Sequence, residues 1–204
     1  MFKNYLLTTL RNLQKYLGYS IINIIGLCLG ISISLLLALW IRHELSYDRF
    51  HSNAEQIFRV SMHMNFGGRS AQTAVSPTAL LPALKKNFPE VKTGTRIYNP
   101  AFFSPFIVKK DDQLFEEEKF YFADSTFFDV FSYSLLKGSS QQALVEPRSV
   151  VLSESMAKKY FGQEDPIGKT LLINDENEYL VTGVIQNAPR NSYLQYDLIG
   201  SFSS

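Results

Sequence analysis

Between Lys15 and Arg42 the chain carries no charged side chain: residues Tyr16 to Ile41 read YLGYSIINIIGLCLGISISLLLALWI. A helix rises about 1.5 Å per residue, so ~20 residues cross the ~30 Å hydrocarbon core of a bilayer, and this run is long enough to cross it with some tilt. The sequence therefore predicts one membrane crossing close to the N-terminus, with a short tail on one side and a large domain on the other. The flanks orient it. The first nineteen residues hold Lys3, Arg11 and Lys15 and no acidic residue, whereas Arg42, Glu44, Asp48 and Arg49 beyond the run are mixed. Lys and Arg are retained on the cytoplasmic side, which puts the N-terminus inside and the bulk of the chain outside. A cleaved signal peptide would have a shorter apolar stretch and a small-residue cleavage site before Arg42, and the run fits neither.

The net charge of +1 hides a division: the basic tail leaves 17 basic and 19 acidic residues from Arg42 onward, a net −2. A near-neutral domain without a basic helix argues against a nucleic-acid partner. The remainder, residues 42–204, is enough for one compact domain or two small subdomains. Its stability has to come from burial, because the single cysteine, Cys28, lies inside the apolar run and no disulfide is possible. The chain's sixteen Phe and eleven Tyr offer the apolar area.

Local patterns predict the elements. Phe2, Leu6, Leu10, Leu13 and Leu17 recur at helical spacing opposite Lys3, Arg11 and Lys15, so residues 1–18 read as an amphipathic helix lying in the cytoplasmic headgroup layer, with the crossing over 19–41. Within the crossing Gly26, Gly30, Ser34 and Ala38 recur every four residues, a row of small side chains that lets a partner helix approach closely. Ser52 and Glu55 have capping-box spacing. Gln56 to Met64 alternates, with Phe58, Val60, Met62 and Met64 on one face and His63 on the solvent face, as a half-buried strand does, before a loop at Gly67-Gly68. Ser76-Pro77 predicts a helix start, with Leu80, Leu81, Leu84 and Phe88 as its buried face and Pro89 as its stop. Short strands are expected at Thr95–Tyr98 and Phe106–Lys109, and a helical turn holding Phe127, Phe128 and Phe131 with Asp124 as cap. Ser149–Leu152 reads as a strand feeding a helix capped by Ser153 and closed at Gly162. Thr170–Ile173 and Tyr179–Gln186 read as strands joined by a turn at Asn174-Asp175. Helices scattered among strands, without strict alternation, predict an α+β domain behind one membrane helix.

Motifs for chemistry are weak. Gly162 to Thr170, GQEDPIGKT, resembles a phosphate-binding loop, but its glycines are one residue too far apart and it runs from helix to strand, the reverse of the order that aims a helix N-terminus at phosphates. It reads as a turn. His43, His51 and His63, with Glu44 and Asp48 nearby, match no zinc spacing and read as surface or interfacial residues. Glu116-Glu117-Glu118 reads as a solvated edge beside Lys119. No nucleophile elbow and no H-E-x-x-H motif occurs. The expectation is a protein without catalytic, cofactor-binding or metal-binding residues.

Two blocks carry a family resemblance. LRNLQKYLGYSIINIIGLCLGISISLLL followed by ELSYDRFHSNAEQIFRV resembles the start of an ABC transporter permease of the MacB/FtsX type, and VVLSESMAKKYFGQEDPIGKTLLINDENEYLVTGVIQNAP resembles that family's periplasmic core domain. Residues 65–145 between them are less diagnostic.

The resemblance implies that residues 42–204 are a MacB-like periplasmic core domain and that the protein lies in the cell inner membrane. It implies two permease units pairing in the bilayer, a separate ABC ATPase driving them from the cytoplasm, and an extracytoplasmic domain that passes motion to the envelope, with a possible envelope partner. Glu44, Tyr47, Asp48 and Phe50, between helix and domain, would carry that motion. It further implies that the chain stops before the remaining membrane helices, with its domain cut short at Ser204. The rival reading from the residues is a single-pass anchored sensor or ligand-binding module, and a third is an anchored envelope enzyme.

Overall fold

The computed structural model describes residues 2–100, 104–175 and 177–204, without the side chains of Phe2, Lys3, Leu6, Leu10 and Phe66. It divides into two compact units, Met1–Tyr47 and Asp48–Ser204. The first holds helices α1 (Phe2–Lys15) and α2 (Leu17–Glu44). They are parted by the single non-helical residue Tyr16, across which the hydrogen bonds Tyr16 N–H to Asn12 O and Ser20 N–H to Tyr16 O continue. At about 1.5 Å per residue the 28 residues of α2 span roughly 42 Å, and α2 is long and apolar enough to cross a membrane. The apolar row read along α1 rests on Phe2, Leu6 and Leu10, whose side chains lie outside the described residues.

The second unit is a mixed sheet with helices on it. Its strands are β3 (Ile97–Tyr98), β4 (Phe106–Lys110), β5 (Gln113–Glu117), β6 (Phe120–Ala123), β7 (Leu135–Gly138), β8 (Ser149–Ser153), β9 (Thr170–Ile173), β10 (Asn177–Ile185) and β11 (Leu198–Ser201). They lie in the order β3-β6-β11-β8-β10-β9-β4-β5. β8 runs parallel to β10, and β6 parallel to β11; the remaining pairs are antiparallel. β10 is the hub. β8 pairs with it over Leu180–Ile185, while β9 takes the first half of its other edge and β7 the second half. A separate hairpin, β1 (Met62–Phe66) with β2 (Arg69–Thr73), closes at Gly67-Gly68.

Every residue of β8 is buried, which a strand covered on both faces requires of its sequence, SVVLS. Val150 and Leu152 enter one core with Phe120, Val181 and Leu198, roofed by Ala157, Tyr160 and Phe161 of α5 (Glu154–Phe161). Val151 enters the other with Phe127, Tyr133, Ile185, Tyr196 and Ile199, on the side of α4 (Phe127–Val130). α5 begins where Ser153 Oγ accepts Met156 N–H at 3.3 Å and ends at Gly162, as its capping residues predict.

Several local readings are corrected. Ser52 and Glu55 form no capping box: only a 3-10 turn, Ala54–Gln56, follows, and Ser52 bonds Ser132 instead. Phe58 and Val60 precede β1 and are exposed, so their alternation does not mark a half-buried strand. The third helix, α3 (Leu80–Asn87), starts three residues past Pro77, whose carbonyl accepts Leu80 N–H. Pro82 falls in its first turn, where a missing N–H breaks no helical bond. Leu80, Leu81 and Leu84 are half-buried and Phe88 is exposed. Asp124 does not cap α4 with its side chain; its carboxylate takes the Arg96 guanidinium at 2.6 Å and the Arg96 backbone N–H at 2.8 Å. Glu117 is buried, not a solvated edge, because the Tyr160 hydroxyl and Lys159 Nζ both donate to its Oε1 at 2.5 Å.

Candidate functional site

Two places carry the residues singled out in the sequence. The first is a face of α2. Gly26, Leu27, Gly30, Ile31, Ser34 and Leu35 line a shallow open groove along it. The Ser34 hydroxyl donates to the Gly30 carbonyl at 2.8 Å, which satisfies it within the helix. A Cβ placed on Gly26 or Gly30 would meet nothing within 4 Å. Ala38 lies one turn further along the same face.

The second is the segment that leads into the domain. Glu44 closes α2, its carbonyl accepts Tyr47 N–H at 3.3 Å, and the Tyr47 ring stands edge-on to His43 at 5.4 Å. Asp48 opens the second unit with a positive φ of 54°, a conformation that Asp tolerates better than most residues. Its N–H donates to Asn191 O at 2.9 Å, and its Oδ1 accepts the Ser192 hydroxyl at 2.8 Å and Tyr193 N–H at 3.2 Å. Ser192 Oγ in turn lies 3.0 Å from the buried Tyr133 hydroxyl. The Phe50 ring rests on His51 at 4.2 Å and on Tyr133 at 5.6 Å. Asp48 and Phe50 thus meet at Tyr133, one through a hydrogen-bonded relay and the other through ring contact.

His51 packs in the same cluster as Asp48 and Phe50 and corrects the surface reading. It is buried, with Phe131 at 5.1 Å and Tyr133 edge-on at 5.0 Å, and Ser132 N–H donates to its Nδ1 at 3.1 Å. Beside it Ser52 N–H donates to Ser132 Oγ at 3.0 Å. These partners lie 80 or more residues away in the chain, so no local spacing pointed to Ser132, Tyr133 or Ser192. Burial pushes the Tyr133 phenol up to about 12.

The other candidates lie elsewhere in the second unit. Gly162 to Lys169 turns the chain from α5 into β9, with Lys169 paired to Glu164 and Gly168 N–H bonded to Val181 O at 2.9 Å. His63 is exposed on β1. Among the described residues no group of His, Cys, Asp and Glu is placed to hold a metal ion.

Comparison with known proteins gives the frame for these sites. No curated protein matches the chain. Among solved structures it resembles a domain assigned to a permease protein of Porphyromonas gingivalis, with 26% identity and a TM-score of 0.55, covering 66% of this chain and 56% of that one. It is also similar to the periplasmic region of MacB from Actinobacillus actinomycetemcomitans, with 23% identity, a TM-score of 0.43 and 59% and 55% of the two chains covered. A third similarity is to the extracellular domain of the noncanonic ABC-type transporter YknZ from Gram-positive bacteria, with 19% identity, a TM-score of 0.37 and 48% and 50% covered. The chain thus spans about half the length of the structures it resembles. The family model of the MacB-like periplasmic core domain matches residues 20–202, from inside the apolar helix to the end of the last strand, and the chain belongs to that family of ABC transporter permease domains.

Proposed function

We propose that this chain supplies the first membrane helix and the extracytoplasmic domain of an ABC exporter permease in the cell inner membrane, and that it passes ATPase-driven motion outward without chemistry of its own. The observation that carries the reading is the family match over residues 20–202 on a chain whose α2 has membrane-spanning length. The basic, acid-free flank before α2 favours a cytoplasmic N-terminus. In this reading α1 lies on the inner leaflet, the groove at Gly26, Gly30, Ser34 and Ala38 receives a helix of the same or a second permease unit, and Glu44, Tyr47, Asp48 and Phe50 form the coupling joint. The Asp48 hydrogen bonds and the Phe50 ring contacts support the last of these, since a segment that transmits force has to be fastened at its far end.

The test is recovery of partners from gently solubilised membranes with the chain tagged at its C-terminus. An ABC ATPase recovered with it, or with a longer reading frame if one exists, is the expected result; its absence throughout would favour an anchored sensor or binding module. Gly30→Leu fills the groove on α2. It is expected to reduce the recovered partner by roughly tenfold, since close packing drives association in lipid, while the domain's melting temperature stays unchanged. Undiminished recovery would remove the packing face from the proposal.

A further inference from the structure

The structure assigns His51 a role beyond packing: we propose that it is a proton-operated latch, fastening the segment Asp48–Ser52 to the domain's aromatic core when neutral and releasing it when protonated. The geometry makes the bond conditional. Ser132 N–H donates to His51 Nδ1, so that nitrogen must be free of a proton. A protonated imidazole turns Nδ1 from acceptor to donor, sets two N–H groups against each other and leaves a charge among Phe50, Phe131 and Tyr133. His51 is 5% exposed, so water cannot take over either duty while the latch is closed. The Ser52–Ser132 hydrogen bonds, the Asp48 contacts and the Phe50–Tyr133 ring contact would then be left to hold the segment without the His51 bond.

The neighbours that titrate do not cancel the effect. Asp48, on the same segment, favours the charged ring, but burial outweighs it and the His51 pKa stays below its ordinary value. Tyr133, from the segment after α4, and Tyr196 behind it are pushed up by burial and remain neutral. Asp129 of α4 and Arg190 in the loop before β11 are exposed. An open ring takes up its proton near pH 6.5, the closed ring at lower pH. The latch is therefore fully closed above that value and is lost as pH falls through the window beneath it. This holds whether or not the chain moves with an ATPase.

The test is hydrogen–deuterium exchange of the full chain in lipid nanodiscs at pH 7.5 and pH 5.0, corrected for intrinsic exchange and read in peptides covering residues 48–54 and 130–134. Each unit between the open and closed midpoints changes the closing equilibrium tenfold. Protection there should drop severalfold at pH 5.0, relative to β8 and β10. His51→Asn places Oδ1 where Nδ1 was and takes no proton, so its protection should not change with pH. Equal protection of the unaltered chain at both pH values overturns the latch, and so does a pH-dependent loss that His51→Asn shares. Should His51→Asn lose the protected core, the unaltered ring decides by 13C-histidine NMR: a midpoint below 6.5 supports the latch, and one at or above 6.5 overturns it.

Discussion

Phe127→Ala is expected to destabilise the domain by about 3–5 kcal/mol, the range for truncating a buried aromatic, and to lower its Tm by roughly 10–15 °C. Phe127 is fully buried at the start of α4. Its ring stacks on Tyr133 at 5.7 Å and meets Phe128 and Phe131, each at 5.2 Å. Removing it leaves a cavity under the rings that hold His51 and Phe50, so the loss should be uneven. Exchange protection should fall more in residues 48–54 than in β4 and β5 at the far edge of the sheet. Phe127→Leu keeps most of the volume and should lose about 1–2 kcal/mol. The series can be measured by thermal unfolding of the full chain in nanodiscs. An Ala variant within 1 kcal/mol of its parent would mean that this cluster does not hold the joint.

What was legible in the sequence was local. The α5 cap at Ser153 and its end at Gly162 need only neighbours within one turn, and the turn at Asn174-Asp175 needs only two residues that accept a positive φ. The α+β class followed from the mixture of such signals. α2 was visible because the absence of charge from Tyr16 to Ile41 has few other causes.

What was hidden depended on distant residues. Phe58 and Val60 alternate with polar neighbours as a strand would, yet among the described residues no second strand pairs with them and they stay exposed. Glu117 looked solvated beside two other carboxylates; its burial is set by Tyr160, 43 residues on. Asp124 had the type and spacing of a helix cap, but Arg96 offers it a guanidinium and a backbone N–H together, a stronger partner than a helix end. β5, β7 and β11 are four or five residues long and draw their stability from partners elsewhere in the chain. In the candidate site, the spacing of Gly26, Gly30 and Ser34 could be read directly. The anchoring of Asp48 could not, because Ser192 lies 144 residues away.

Gly138→Ala should be as damaging as the loss of Phe127, about 3–5 kcal/mol, for a reason no local pattern shows. β7 ends at Gly138 where β9 has left the edge of β10, opposite Gly183. Its φ is 90°, and a Cβ there would lie 2.4 Å from the Thr182 carbonyl oxygen and 3.0 Å from the Gly183 Cα. Both atoms belong to the backbone of the hub strand, so relief requires parting the end of β7 from β10. Backbone strain of about 1–3 kcal/mol adds to a steric clash of similar size. Two variants separate these causes. Gly168, with φ of 79° and nothing within 4 Å of an added Cβ, carries the backbone penalty alone, so Gly168→Ala should lose only about 1–2 kcal/mol. Gly138→Asn eases the positive φ but keeps the Cβ, and should remain within about 1 kcal/mol of Gly138→Ala. If Asn restored most of the stability, the close approach of β7 to β10 would not be what requires glycine there. The comparison uses thermal unfolding of the same full chain, and it tests whether the sheet is organised on β10 as its pairing implies.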